Sequence, residues 1–396
     1  MKKNWEIKTL GEVGIVYNGN SINEKVKKDN YTNIEEGYPF IATKDIQVNS
    51  VIDYDNGVKI PFNEKHLFKI APQNTPLICM EGGSAGRKIG YTNKEVCFGN
   101  KLLALIPKSK NYNSKYFYYF YFSGSFQKSF NQYLLGIIGG VSIKNFKEIP
   151  IPIPPIKEQE EIVERLDKGF ELIDSLKGTA KKNLDNAKEL FKSVLREELS
   201  PKEGWETKRL GEAGTTLTGQ TPPTKDKDNF GNYIPFVKPA DFFNGELNYL
   251  NEGLSEKGMK FSRVSKKGST LMVCIGATIG KTAFTEIDVT SNQQINSIYP
   301  SKDFFPKFIY YYLISKDFYN QVIENASQAT LPIINKSKWE SLTISFPKSI
   351  KEQEEIVNRL DRIKGYCEEL EGNYKRVLEL CEELKQGLLR EAFEVR

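Results

Sequence analysis

The chain is written twice, and this constrains its fold more than any other feature. Trp5-Glu6-Ile7-Lys8-Thr9-Leu10-Gly11-Glu12 recurs as Trp205-Glu206-Thr207-Lys208-Arg209-Leu210-Gly211-Glu212. Pro39-Phe40-Ile41 recurs as Pro235-Phe236-Val237, and Gly82–Arg87 as Gly276–Lys281. Lys115–Tyr119 recurs as Lys307–Tyr311, and Ile156–Asp167 as Ile350–Asp361 with one change, Glu164 to Asn358. Five blocks in one order, at offsets of 192 to 200 residues, make each half one domain followed by one tail. At 396 residues the chain is too long for a single ordinary core and long enough for two.

The tails read as helices. In the first, Val163, Leu166, Phe170, Ile173, Leu176, Ala180, Leu184, Ala187, Phe191 and Val194 are spaced by three or four residues. In the second, Leu360, Ile363, Cys367, Leu370, Tyr374, Val377, Cys381, Leu384 and Leu388 alternate strictly, as a coiled-coil seam does. Pro154, Pro155 and Pro347 precede the two helices as start signals. A helix of this length spans roughly 65 Å, and one apolar stripe requires a partner. The expected arrangement is an antiparallel pair with a globular domain at each end and an approximate two-fold relation between the halves. The predicted boundaries are 1–154 and 200–347 for the domains, and 155–199 and 348–396 for the helices.

Within each domain, short β-branched and aromatic runs broken by Gly, Asn and Pro predict an α+β fold. The apolar runs Pro76–Met80 and Leu271–Ile275 read as buried strands, and 115–132 and 307–325 as helices. The tyrosine-rich blocks at 116–121 and 310–312 read as core, and Cys367 and Cys381 as seam hydrophobes.

Charge separates the modules. Residues 1–154 carry a net +7 and 200–347 a net +2, whereas each tail carries −2. The domains are therefore expected to meet a polyanion and the helices to meet protein. The sequence has no apolar run of membrane-spanning length and no apolar stretch after Lys2 and Lys3. Its five cysteines form no CxxC pair. A cytoplasmic protein is expected.

Motifs for catalysis are few. The single histidine, His66, cannot complete a usual zinc set or support a triad without a nucleophile elbow. Gly276-Ala277-Thr278-Ile279-Gly280-Lys281-Thr282 is one residue short of a P-loop, and its copy at 82–88 lacks the ending. The remaining readings of this turn are a structural bend or the presentation of Arg87 or Lys281 to DNA. No N-P-P-Y or D-P-P-Y tetrad of an amino-methyltransferase is present. No metal, cofactor or catalytic residue is expected.

These residues resemble the specificity subunit (HsdS) of Type I restriction–modification systems. The resemblance rests on the doubled W-E-x-K-x-L-G-E block, the G-[S/T]-x-G-[R/K] turn (Gly83–Arg87, with Ala277 in place of the first Gly in its copy), and Pro152-Ile153-Pro154-Pro155-Ile156-Lys157-Glu158-Gln159-Glu160-Glu161-Ile162 leading into a coiled-coil helix. It covers the whole chain. It implies a non-catalytic subunit whose two domains each read one half of a split, asymmetric site in double-stranded DNA. The helices would set the spacing and dock two methyltransferase (M) subunits, with restriction (R) subunits joining the full complex. Half-sites about one turn, ~35 Å, or more apart fit that arrangement. The expected DNA-binding residues are Asn18, Asn20, Ser21, Lys44, Ser84, Arg87, Lys88 and Lys101 in domain one. In domain two they are Thr218, Gln220, Thr221, Lys238, Thr278, Lys281, Gln293 and Gln294. The loops 139–142 and 327–330 are further candidates. Rival readings are a stand-alone bipartite DNA-binding regulator, a P-loop NTPase dependent on Lys281, and a coiled-coil linker that binds no DNA.

Overall fold

The computed structural model describes residues 5–134, 139–327 and 331–394. It divides into two compact units, Met1–Lys181 with Arg376–Arg396, and Lys182–Lys375. Both are built to one plan.

In the first unit, β1 (Glu6–Thr9) pairs antiparallel with β10 (Pro150–Ile153). The main sheet runs β2 (Gly14–Asn18), β9 (Leu102–Pro107), β6 (Pro76–Cys79), β7 (Ile89–Tyr91), all antiparallel. A second sheet runs β4 (Lys59–Ile60), β3 (Tyr38–Ile41), β8 (Val96–Phe98), β5 (Ile70–Ala71), with β3 and β8 parallel. The main sheet is covered on both faces, which explains its unbroken apolar runs. Leu77, Cys79, Leu102 and Ala104 face the second sheet, while Ile78, Leu103 and Leu105 face the helices.

The second unit repeats this. A ribbon of β11 (Trp205–Arg209) and β22 (Thr343–Pro347) accompanies a main sheet of β12 (Gly214–Thr218), β21 (Ile295–Pro300), β18 (Thr270–Val273) and β19 (Thr282–Phe284). The other sheet is β16 (Gly253–Leu254), β13 (Phe230–Val237), β20 (Val289–Ser291), β17 (Val264–Ser265). A short hairpin, β14 (Phe242–Phe243) with β15 (Glu246–Leu247), is added. The apolar runs expected as buried strands are β6 and β18.

The segments 115–132 and 307–325 each hold two helices rather than one. Ser114–Phe120 is followed by Gly124–Gln132, and Pro306–Leu313 by Lys316–Asn325. The break comes from a serine cap: Ser123 Oγ accepts Phe126 N–H at 3.2 Å, and Ser315 Oγ accepts Phe318 N–H at 3.3 Å. Tyr116, Tyr119, Tyr310 and Tyr311 are buried, consistent with core packing.

The tails are helices of 44 residues each, Ile156–Leu199 and Ile350–Phe393. Within the first unit, Leu389, Ala392 and Phe393 at the end of the second helix join Ile162, Val163 and Leu166 at the start of the first. Within the second unit, Leu195 and Leu199 join Ile356, Val357 and Leu360 in the same antiparallel sense. Cys367 and Cys381 are buried in the seam.

The repeated E-Q-x-x-I block clamps each domain to its helix. Buried Gln159 accepts Asn113 N–H at 2.9 Å and donates to the carbonyls of Asn111 (3.1 Å) and Pro154 (2.8 Å). Gln353 accepts Phe305 N–H at 2.8 Å and donates to Asp303 (3.0 Å) and Pro347 (2.9 Å). About two turns further along the helix, Asp167 takes Lys115 at 2.7 Å and the hydroxyl of Tyr119. Asp361 does the same with Lys307, at 2.8 Å, and Tyr311.

Three leucines assigned to the seam lie outside it. Leu176, Leu370 and Leu384 are exposed, by 53%, 38% and 53%. In each case the next residue, Lys177, Glu371 or Lys385, is the more buried of the two. The charged heads are held: Lys177 pairs with Glu382, Glu371 with Lys375 at 3.6 Å, and Lys385 lies 4.5 Å from the Phe170 ring centre. Their stems cover the seam while the charges reach water. A 3-4 pattern cannot distinguish such neighbours when leucines also flank the stripe.

Candidate nucleic-acid interface

Strand direction gathers the expected contacts at one end of each domain. β2, β3, β6 and β8 finish where β7 and β9 begin, so their connecting loops form one rim. All eight expected residues of domain one lie on it, and the eight of domain two lie on the equivalent rim.

Hydrogen bonds tie the first rim together. Asn20 N–H donates to Phe98 O at 2.9 Å, and its side chain accepts Lys69 N–H at 2.7 Å. Lys69 Nζ donates to Asn18 Oδ1 at 3.0 Å. Met80 N–H donates to Lys101 O, Gly82 N–H to Gly139 O and Val141 N–H to Met80 O, each at 2.9 Å, which brings the 139–142 loop onto the rim. Gly19 permits this closeness, since a Cβ there would sit 1.9 Å from Phe98 O.

The second rim uses the same frame with other side chains. Thr218 donates to Asn296 Oδ1 and Thr221 to Gln293 Oε1, both at 2.8 Å. Gln294 O accepts Cys274 N–H at 2.7 Å, and its side-chain oxygen accepts from Asn292 at 3.0 Å. Gly276 N–H donates to Pro332 O at 3.0 Å, joining the 331–334 segment. Of the 327–330 loop, residues 328–330 lie outside the described residues.

The glycine turns are strand-to-strand bends. Gly280 has φ +88°, and a Cβ there would meet the Tyr319 ring at 2.6 Å; Gly86, at φ +70°, would meet Phe130 at 2.9 Å. The Gly276–Lys281 turn leads into β19, not into a helix. Its amides are used internally: Ile279 N–H donates to Gly276 O, Gly280 to Val273 O and Lys281 to Thr278 O. A phosphate cradle needs free amides at a helix N-terminus, which this turn does not provide. Burial pushes the Cys274 thiol up to about 12 and the Cys97 thiol likewise, so neither is a ready thiolate. Among the described residues, no group of three His, Cys, Asp or Glu is placed to hold a metal ion.

The rim cations differ in availability. Arg87, Lys101 and Lys281 are exposed and their side chains hold no ion pair among the described residues. Lys88 instead donates to Thr43 O at 3.0 Å, and Lys238 pairs with Glu252. Sequence reasoning missed two rim cations. Lys69 precedes β5 and binds Asn18; Arg263 precedes β17 and donates to Thr218 O at 3.2 Å. Each stands seven residues before its main-sheet strand, at Pro76 and Thr270, so extending the repeat alignment would have revealed them.

The family described as Type I restriction modification DNA specificity domain matches residues 2–185 and again 202–380. The chain is 21% identical to the Type I restriction enzyme EcoBI specificity subunit of Escherichia coli, across 93% of this chain and 81% of that one. It is 25% identical to the StySPI specificity subunit of Salmonella potsdam, across 93% and 84%. The match to the MjaIX specificity subunit of Methanocaldococcus jannaschii, at 29% identity, spans 48% of this chain and less than half of that one, 44%. In fold, the chain resembles a chain solved in work on complex assembly and conformational transition of the type I R-M system (TM-score 0.78, 16% identity, 99% and 98% coverage). It also resembles the HsdS subunit of Thermoanaerobacter tengcongensis (TM-score 0.62, 17% identity, 99% and 97% coverage). Among the described residues no helix is long and apolar enough to cross a membrane. Matched in both of its halves, the chain belongs to the Type I restriction modification DNA specificity family.

Proposed function

We propose that this protein is the DNA-specificity subunit of a cytoplasmic Type I restriction–modification complex and performs no chemistry itself. Domains 1–154 and 200–347 each read one half of a split, asymmetric duplex site, through the rim residues named above. The helices, 155–199 and 348–396, fix the spacing and carry two methyltransferase subunits, and restriction subunits complete the assembly.

The observation that carries this reading is a shared frame with different edges. The two rims have the same strand order and glycine turns, yet among their exposed side chains one presents Ser21, Arg87 and Lys101 and the other Gln220, Lys281 and Gln293. Amides pair bidentately with adenine, and Arg or Lys with guanine, so different edges select different sequences. The exposed leucines support the docking role. Leu172, Leu176 and Leu384 in the first unit correspond, 194 residues away, to Tyr366, Leu370 and Leu190 in the second, and all six are exposed. The same apolar surface presented twice suits two copies of one partner.

Mapping methylated sites in cells that carry this gene with its methyltransferase tests the proposal. One split sequence with unlike halves is expected, and exchanging domain two should alter one half only. A change in both halves, or a continuous palindrome, would overturn it.

A further inference from the structure

The helix Glu24–Asn30 leaves the first rim three residues after Asn20, with Asn23 as its cap. It buries none of its residues. Its last turn is closed by Tyr31 N–H and Thr32 Oγ1, both donating to Lys27 O at 3.0 Å. Lys27 turns inward onto Glu24, its side chain only 16% exposed, whereas Lys25 and Lys28 are exposed and hold no ion pair among the described residues. Residues three apart share a helix face, so two free ammonium groups point the same way beside the rim. A helix that adds nothing to the core has no packing reason to persist.

Domain two has no such helix, although Lys225 and Lys227 are also exposed there and hold no ion pair among the described residues. At the equivalent place it has a 3-10 turn, Lys227–Asn229, in a stretch where Lys225 and Lys227 alternate with Asp226 and Asp228. Lys257 ties both aspartates down, at 2.7 and 3.7 Å.

Resting on the reading of the rims as the DNA-facing surface, we infer that Lys25 and Lys28 grip phosphates of the duplex next to the half-site of domain one. With a net charge of +7 against +2, domain one then carries the larger electrostatic share of the grip. Phosphate contacts position a protein without reading sequence, and each neutralised phosphate contributes about 0.9 to the salt slope.

The test is titration of the full-length chain, with its methyltransferase, on a target duplex and on a scrambled duplex between about 50 and 200 mM salt. With Lys25→Ala and Lys28→Ala together, the slope of log affinity against log salt should fall by about 2, and equally on both duplexes. Lys25→Arg with Lys28→Arg should restore it. An unchanged slope and affinity would overturn the inference, and so would lost sequence preference at an unchanged slope. If the native chain binds neither duplex, the DNA-specificity reading itself fails.

Discussion

The long helices and the rims of the domains have diverged in opposite ways. Ile156–Asp167 and Ile350–Asp361 differ at one position, and the contacts of Gln159 and Asp167 that clamp the first domain to its helix recur at Gln353 and Asp361. The rims share a backbone frame and almost no side chains. A clamp must satisfy buried polar groups of fixed geometry, so little can change there. A rim side chain faces solvent and is free to take whatever identity its ligand selects.

The largest effect should come from the clamp. Gln159→Leu or Gln353→Leu orphans one part-buried amide and two carbonyls, so each should cost about 2–3 kcal/mol in denaturant unfolding. Markedly unequal costs would show that the two clamps are not equivalent. Next are the turns. Gly86→Ala and Gly280→Ala force a Cβ into Phe130 or Tyr319 at positive φ, for about 1–3 kcal/mol each. Duplex affinity should fall with stability in both.

Rim cations should act without touching stability. Arg87→Ala, Lys101→Ala and Lys281→Ala should each weaken duplex binding by about 1 kcal/mol, measured by titration, with an unchanged melting temperature. Domain-one variants should alter only one half of the methylated sequence.

The smallest effect separates the two helix pairings. In the second unit Arg359 holds Glu198 by paired hydrogen bonds of 2.7 and 2.8 Å; in the first, Arg165 meets exposed Glu391 at 3.0 Å. Hydrogen bonds from Arg359, and then its charge, hold the Glu198 carboxyl below its usual range. A lowered carboxylate pKa stabilises above the unfolded value, near 4.5, and that stability is lost as pH falls through it toward the folded value. With solvent screening the loss should stay under about 1 kcal/mol. Glu198→Gln should flatten this part of the acid unfolding profile, and an unchanged profile would remove the pair from the account.

Much of this was legible because it is local. The two helices, the buried strands β6 and β18 and the glycine turns follow from periodicity and from residues that few backbones tolerate. The sixteen expected rim residues gather at one end of each domain because the repeat placed them in the loops that follow blocks of apolar sequence. What each of them holds was not legible. Lys88 and Lys238 look as free as Arg87 in sequence, yet one is tied to Thr43 and the other to Glu252. Lys69 and Arg263 belong to the rims through partners about fifty residues away.

One plan used twice, with the helical extents and strand runs that plan needs, is already written in the order of the residues. Hydrophobic periodicity and repetition are properties of neighbouring residues. Which leucines line the seam and which cations stay free follows from the packing of distant segments. Those outcomes depend on which distant segment covers each side chain: Lys177 takes the seam beside Leu176 because Glu382 receives its charge.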